Sequence, residues 1–431
     1  MNFKFLTPTL VILSLVSLFT DIASEMLYPI IPLYLSTIGY GAFQIGLIES
    51  ISEAGTGILK GYFGYIADKT GQYTRLVKFG YGLSTVSRIM IGANTFFGTV
   101  FAGRFFDRLG KSIRTSPRDS LIALNSDIET RSRAFAFHRS LDSFGAFIGP
   151  IITLVLMVGL SNTFFQSTPL DSNIKLFQII FGLTLIPGLI AVALTFLLPK
   201  VPQKKEENIK LTSENINKNK ENIFQRYKNF FISSSLEYKK ILLGFFLLAV
   251  VNASDMFLIL RLKELGISNI MTIMSYILYN ICLALFSYPI SLLINKIGYK
   301  YIFSLGLIFY SIAAYLFSQN IGIELIFIAF LLYSIFGSLN QAIATSWVSV
   351  NIKDSSVGLG MGLYESIKSL GLLIASLLVG WLWTVIGSSQ TFNYISIFLT
   401  LVCFYFIVFL KNQKLQDIQK LQALPSCNPR H

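Results

Sequence analysis

Gly64-Tyr65-Ile66-Ala67-Asp68-Lys69-Thr70-Gly71 is a short polar connection that closes one apolar run, 43–66, and precedes another, 76–94. Each run is long enough to cross a bilayer, which needs about 20 mainly apolar residues. The same ruler carried outward finds further spans near 8–36, 96–117, 134–159 and 173–198. A second set lies near 241–260, 270–294, 299–317, 321–348, 358–386 and 391–410. The expected fold is an all-α membrane protein of twelve transmembrane helices in two pseudo-symmetric six-helix bundles. Residues 1–198 form the first bundle, 199–240 a cytoplasmic linker, 241–412 the second bundle and 413–431 a cytoplasmic tail.

Composition supports lipid as the solvent. Hydrophobic residues make up 53% of the 431 and charged residues only 13%, about half the charged share of a soluble domain. The net charge of +13 does not indicate nucleic acid, because the basic residues sit in short connections and one central segment, not on a basic face. Cys282, Cys403 and Cys427 lie far apart and make no metal-type spacing, so no metal and no cofactor is expected. The amino-terminal run is too long for a signal-peptide core and reads as a retained first span. The linker, with Pro199, Pro202 and Lys218-Asn219-Lys220, cannot bury a core and has room for one surface helix.

The halves repeat each other. Ala23-Ser24-Glu25-Met26-Leu27 recurs as Ala253-Ser254-Asp255-Met256-Phe257, and Thr115-Ser116 as Thr345-Ser346, both at an offset of 230. The opening octapeptide recurs, degraded, as Ser291-x-x-x-Asn295-Lys296-x-Gly298. Parallel six-helix halves enclosing a solute site are a transporter plan. Placing both termini inside leaves Lys175, Arg261 and Lys263 as the basic residues of the opposite side, the bias the positive-inside rule demands. The expected location is the bacterial inner membrane, with the chain a monomer.

The octapeptide, in its place between spans two and three, resembles the loop signature of the major facilitator superfamily. Gly145-x-x-x-Gly149-Pro150 in span five is similar to that family's antiporter motif, and Arg104 in span four to a further family arginine. The usual basic pair after Gly71 is replaced by Gln72-Tyr73, and the antiporter-like motif lacks its trailing glycines. The resemblance implies a secondary transporter working by alternating access, with Gly64, Asp68, Lys69 and Gly71 gating. Physically, Gly64 permits close helix approach. Asp68 can sit at a helix start or pair with Arg131 or Arg133.

Span four is the most informative stretch. Arg104, Asp107, Arg108, Lys111, Arg114 and Arg118 fall within an arc of about 120° on a helix. Such a stripe should face a water-filled path, because a charge in lipid costs several kcal/mol. Glu49, Glu53, Thr56 and Lys60 share a face of span two; Asp21, Ser24, Glu25 and Tyr28 lie in span one before Pro29 and Pro32, which loosen the helix; His138, Arg139 and Asp142 lie in span five. Aligning Gly145 with Gly371 sets Arg139 and Asp142 against Glu365 and Lys368, a sign inversion that suits a cross-paired gate; the alternative is pairing of each within its own helix.

The expected solute cavity comprises Arg104, Arg108, Lys111, Tyr28, Glu53, Asn252, Tyr276, Asn280, Asn340 and Gln341. No G-x-x-x-x-G-K-S/T loop occurs, so the chain is not expected to be an enzyme that hydrolyses nucleotide, and Gly358-x-Gly360-x-Gly362 reads as helix packing. Burial favours the protonated carboxyl and a nearby arginine opposes it. Asp21, Glu25 and Asp255, with few cations near in sequence, are therefore the expected proton carriers, and Asp107 and Asp142 ion-pair partners. Three functions compete: proton-coupled efflux of a small polar organic solute, proton-linked uptake of an anionic solute such as a siderophore or organic acid, and a non-transporting receptor or scaffold. The partners are a small-molecule solute, protons and the bilayer.

Overall fold

The computed structural model describes residues 6–126, 130–164, 173–198, 223–252, 254–352 and 357–412. The expected tail beyond 412, most of the linker and Cys427 lie outside the described residues, as do the side chains of Glu53, Ser291 and Asn295. The described residues are helical throughout. In chain order the helices are α1 (Pro8–Leu27), α2 (Ile30–Thr37), α3 (Ala42–Thr70), α4 (Tyr73–Ala93), α5 (Phe97–Leu124) and α6 (Arg131–Phe164). Next come α7 (Ile174–Leu183), α8 (Leu185–Thr195), α9 (Ile223–Ser233), α10 (Leu236–Val251) and α11 (Met256–Glu264). The last are α12 (Asn269–Ile297), α13 (Tyr299–Ser318), α14 (Ile323–Ser349), α15 (Val357–Ile386) and α16 (Ser388–Phe409).

Among the described residues, nine stretches are long and apolar enough to span a membrane, three of them built from consecutive helices: α1–α2, α7–α8 and α10–α11. The other three expected spans are α3, α4 and α5, of 29, 21 and 28 residues. They have the length to cross and miss the apolarity because they carry Glu49, Arg88 and the charges of α5. Span one breaks at Tyr28-Pro29, where proline has no N–H to continue the ladder. Span seven breaks between Asn252, which ends α10, and Asp255, which precedes α11.

The chain divides into two compact units. The first holds residues 1–221, 253–277 and 372–385, so α11, the start of α12 and the later half of α15 pack with the helices of the first half. Within it α1 lies along α6 and α4 along α5. Glycines set these distances. A Cβ on Gly80 would meet the Gly110 carbonyl at 2.7 Å, and one on Gly149 would meet Ile22 O and Glu25 Cβ at 2.8 Å. One end is stitched by polar contacts: Lys263 Nζ donates to Leu33 O (3.0 Å) and Thr37 Oγ1 (2.6 Å), and Trp383 Nε1 donates to Glu264 (2.7 Å).

The second unit holds 222–252, 278–371 and 386–431. Its core is aromatic: Phe245 sits among Phe303, Tyr364, Trp347 and Phe406. The linker helix α9 docks against α15, where Cβ atoms on Gly360 and Gly362 would meet Phe230 (2.9 Å) and Tyr227 (2.8 Å). This is the helix packing expected of that glycine cluster.

Candidate functional site

The charged stripe of span four is helical along its whole length, on α5, and its inner members are buried. Arg104 is only 3% exposed, and the neighbours that neutralise it come from other helices. Arg104 Nη2 donates to Glu49 Oε2 of α3 at 2.7 Å, and Arg108 Nη2 donates to Glu49 Oε1 at 3.4 Å. One carboxylate is therefore held by two guanidinium groups. Asp107 lies between two more contacts, with Oδ1 3.8 Å from Arg88 Nε of α4 and Oδ2 3.8 Å from Arg104 Nη1. Further along α5, Arg114 donates to Ser84 at 2.8 Å and lies over the Tyr81 ring. Arg118 donates to Ser17 of α1 at 2.9 Å and pairs with Asp119. Lys111 is exposed.

A second cluster forms where the helix breaks meet. Tyr28, at the α1–α2 break, stacks on Tyr276 with ring centroids 5.4 Å apart. Tyr276 donates to Glu25 at 2.9 Å. Ser254, in the span-seven break, lies 3.4 Å from Tyr28 Oη and donates to Glu49 Oε1 at 3.4 Å. A polar chain therefore runs from Arg104 through Glu49 and Ser254 to Tyr28. Asp255 sits at the start of α11.

The third cluster joins α1 and α6. Asp142 of α6 sits beside Ser17 and Asp21 of α1, and His138 lies 4.0 Å from Asp142. Gly145, one turn from Asp142, makes the approach possible: a Cβ there would meet Leu18 O at 2.6 Å and Asp21 Cβ at 3.1 Å. Gly149 and Pro150 continue the same helix against Glu25 and Ile22.

The remaining expected residues are placed as follows. Gly64 faces Ser116 at the approach of α3 to α5. Gly71 ends α3 with φ +68°, a conformation glycine adopts at no steric cost. Asp68 accepts from Tyr73 Oη at 2.9 Å, at the start of α4, and Lys69 is exposed. Arg139 is exposed, while Glu365 and Lys368 pair within α15 at 3.8 Å. In the second unit Asn252 ends α10, Asn280 and Asn340 are half-buried, and Gln341 is exposed. Glu53, expected in the cavity, lies outside the described side chains.

Three important residues were absent from the expected site: Glu49, Arg88 and Ser254. Arg88 carried a readable signal, a lone arginine inside the apolar run of span three. Ser254 stood inside the internal repeat.

The Major Facilitator Superfamily model matches residues 13–279 and 241–423. The chain is a member of the Major Facilitator Superfamily. An uncharacterized MFS-type transporter of Methanocaldococcus jannaschii is 30% identical over 92% of this chain and 93% of its own. An uncharacterized protein of Mycobacterium tuberculosis is 26% identical over 36% of this chain and 37% of its own. Among solved structures, the nucleoside transporter NupG is similar at a TM-score of 0.69 and 15% identity, over 94% of this chain and all of that one. A D-xylose–proton symporter matches at 0.70 and 14%, over 94% and 99%. A bacterial homolog of the human lysosomal transporter Spinster matches at 0.72 and 13%, over 93% and 95%. These likenesses to solved structures bear on the fold. The MFS chain is thus an all-helical, multi-pass membrane transporter with its buried charges concentrated in the first unit.

Proposed function

We propose that this MFS transporter exports a small polar organic solute in exchange for protons. The observation that carries the reading is the approach of two acids, Asp21 of α1 and Asp142 of α6, where a Cβ on Gly145 would meet Asp21 Cβ at 3.1 Å. The pair takes up or releases a proton as it opens first to one side of the membrane and then to the other, because neighbouring buried acids favour one shared proton and solvated ones ionise. Alternating access supplies that change of exposure when one bundle rocks against the other around the solute site. Arg118, which donates to Ser17 beside the pair, supplies positive charge that eases release. Glu25, held by Tyr276, is the second proton carrier, and Asp255 the third.

The termini are assigned to the cytoplasm. The stitched end of the first unit, with Lys263 on Leu33 and Thr37, is then the external seal. The solute enters beside Arg104, Arg108, Tyr28 and Tyr276. Gly145, Gly149 and Pro150 keep α6 tight against α1, which makes proton occupancy of the pair felt along both helices.

Purified protein in liposomes loaded with a pH-sensitive dye tests this. Under an imposed pH gradient, addition of a transported solute on the cytoplasmic side should draw protons inward across the membrane. Asp21→Asn and Asp142→Asn should each abolish that movement while solute counterflow persists. Proton flux unchanged in both variants would refute the assignment. A second reading, proton-linked uptake of an anionic solute, is favoured by the two arginines on one carboxylate; in that case proton and solute move in the same direction.

A further inference from the structure

Glu49 occupies a position that needs explaining. Here each oxygen faces its own arginine, Oε2 to Arg104 at 2.7 Å and Oε1 to Arg108 at 3.4 Å. Ser254 adds a third donor at 3.4 Å. Donors converging from α5 and from the span-seven break are what a protein presents to the oxyanion of a bound molecule. The Glu49 side chain is 1% exposed, so water does not compete for those donors.

Two further observations separate this arrangement from a permanent strut. The buried Arg104 Nε has no hydrogen-bond partner among the described residues, so the guanidinium has donor capacity that Glu49 does not use. Arg104 also has a second acid within reach, Asp107 at 3.8 Å. Withdrawal of Glu49 would therefore not strand Arg104 as an isolated buried cation, the outcome that makes most buried pairs costly to open.

We propose that Glu49 is a built-in substitute for the oxyanion of the transported solute, a carboxylate or phosphate monoanion that displaces it from Arg104 and Arg108. This rests on the reading of the cavity as the solute site and narrows the solute to one bearing such a group. Displacement has a mechanical consequence. Glu49 leaves Ser254 as it leaves the arginines, and Ser254 lies in the break between α10 and α11 and touches Tyr28. Arrival of the anion is thereby transmitted to the helix breaks at Tyr28 and Ser254.

The test uses the full-length purified protein with benzoate and inorganic phosphate as probes, read by thermal stabilisation. Glu49→Gln removes the competing anion, and Glu49→Asp withdraws it by one methylene while keeping the charge, so that one variant folds if the other does not. Both should lower the half-saturating concentration of at least one probe by about tenfold, since each removes an internal competitor. Arg104→Gln should lose the response. Unchanged or weaker affinity in both Glu49 variants would overturn the proposal, as would failure of wild type and variants alike to respond to either probe. Proton flux in liposomes made from the same preparations separates this result from the coupling reading. Anion affinity that rises while Asp21→Asn leaves proton flux intact would defeat the coupling scheme and leave the anion site standing.

Discussion

The arrangement of Asp107 allows a sharp stability prediction. Its two oxygens are shared between Arg88 and Arg104, each 3.8 Å away. Arg104 has Glu49 as a second counter-ion, whereas none of the three Arg88 guanidinium nitrogens makes a hydrogen bond among the described residues. The Arg88 side chain is 1% exposed. Asp107→Asn therefore removes the nearest counter-ion of a fully buried cation. At an effective dielectric of about 20, a pair at this separation interacts by roughly 4 kcal/mol. That agrees with the roughly 3–5 kcal/mol lost when one partner of a buried pair is removed. For a bundle of this size the loss lowers Tm by about 10–15 °C, taking about 3 °C per kcal/mol. Arg88→Met combined with Asp107→Asn replaces the stranded cation by an apolar chain and should recover most of that loss, because apolar replacement of a buried pair is neutral or stabilising. Arg88→Met alone should cost less than Asp107→Asn, since Asp107 keeps Arg104. Thermal unfolding of the three variants in detergent, followed by intrinsic fluorescence, measures all of this. An Asp107→Asn protein within about 3 °C of wild type, or a double variant no more stable than it, would refute the reasoning.

Two other predictions concern the motifs. Gly149→Ala puts a methyl group 2.8 Å from both Ile22 O and Glu25 Cβ, forcing α6 from α1 at a cost of about 1–3 kcal/mol; a Tm unchanged from wild type would show that the contact is slack. Asp68→Asn keeps an acceptor for Tyr73 Oη but removes the charge, so transport should fall sharply while expression and detergent stability hold; undiminished counterflow would remove Asp68 from the gate.

The spans were legible because lipid imposes a length on apolar runs, and the break of span one was legible in Pro29. The polar stripe of span four was legible because its spacing puts the charges on one side of a helix wherever that helix packs. Acids on span two, Glu49 among them, were legible as candidate partners of the stripe; which cation each one meets was not. That Glu49 meets Arg104 and Arg108 is set by where α3 crosses α5. Arg88 meets Asp107 for a similar reason. The register of α4 along α5 is fixed by the close approach of Gly80 to Gly110 and of Gly103 to Ser87, a tertiary fact with no local trace.

Asp142 shows the same limit in its strongest form. Its neighbours in sequence, His138 and Arg139, argue for an ordinary ion-pair partner. On the helix His138 does lie 4.0 Å from Asp142, but Arg139 is exposed, and Asp142 also sits beside Asp21 of α1. What brings two like-charged groups together is the small residue one turn away: Gly145 lets α1 come so near that its backbone occupies the space of a side chain. A glycine read as part of a motif is therefore, in physical terms, the residue that lets two acids far apart in the chain come together. A larger side chain at 145 would press on Leu18 O and Asp21 Cβ and part the two acids, with neither acid replaced.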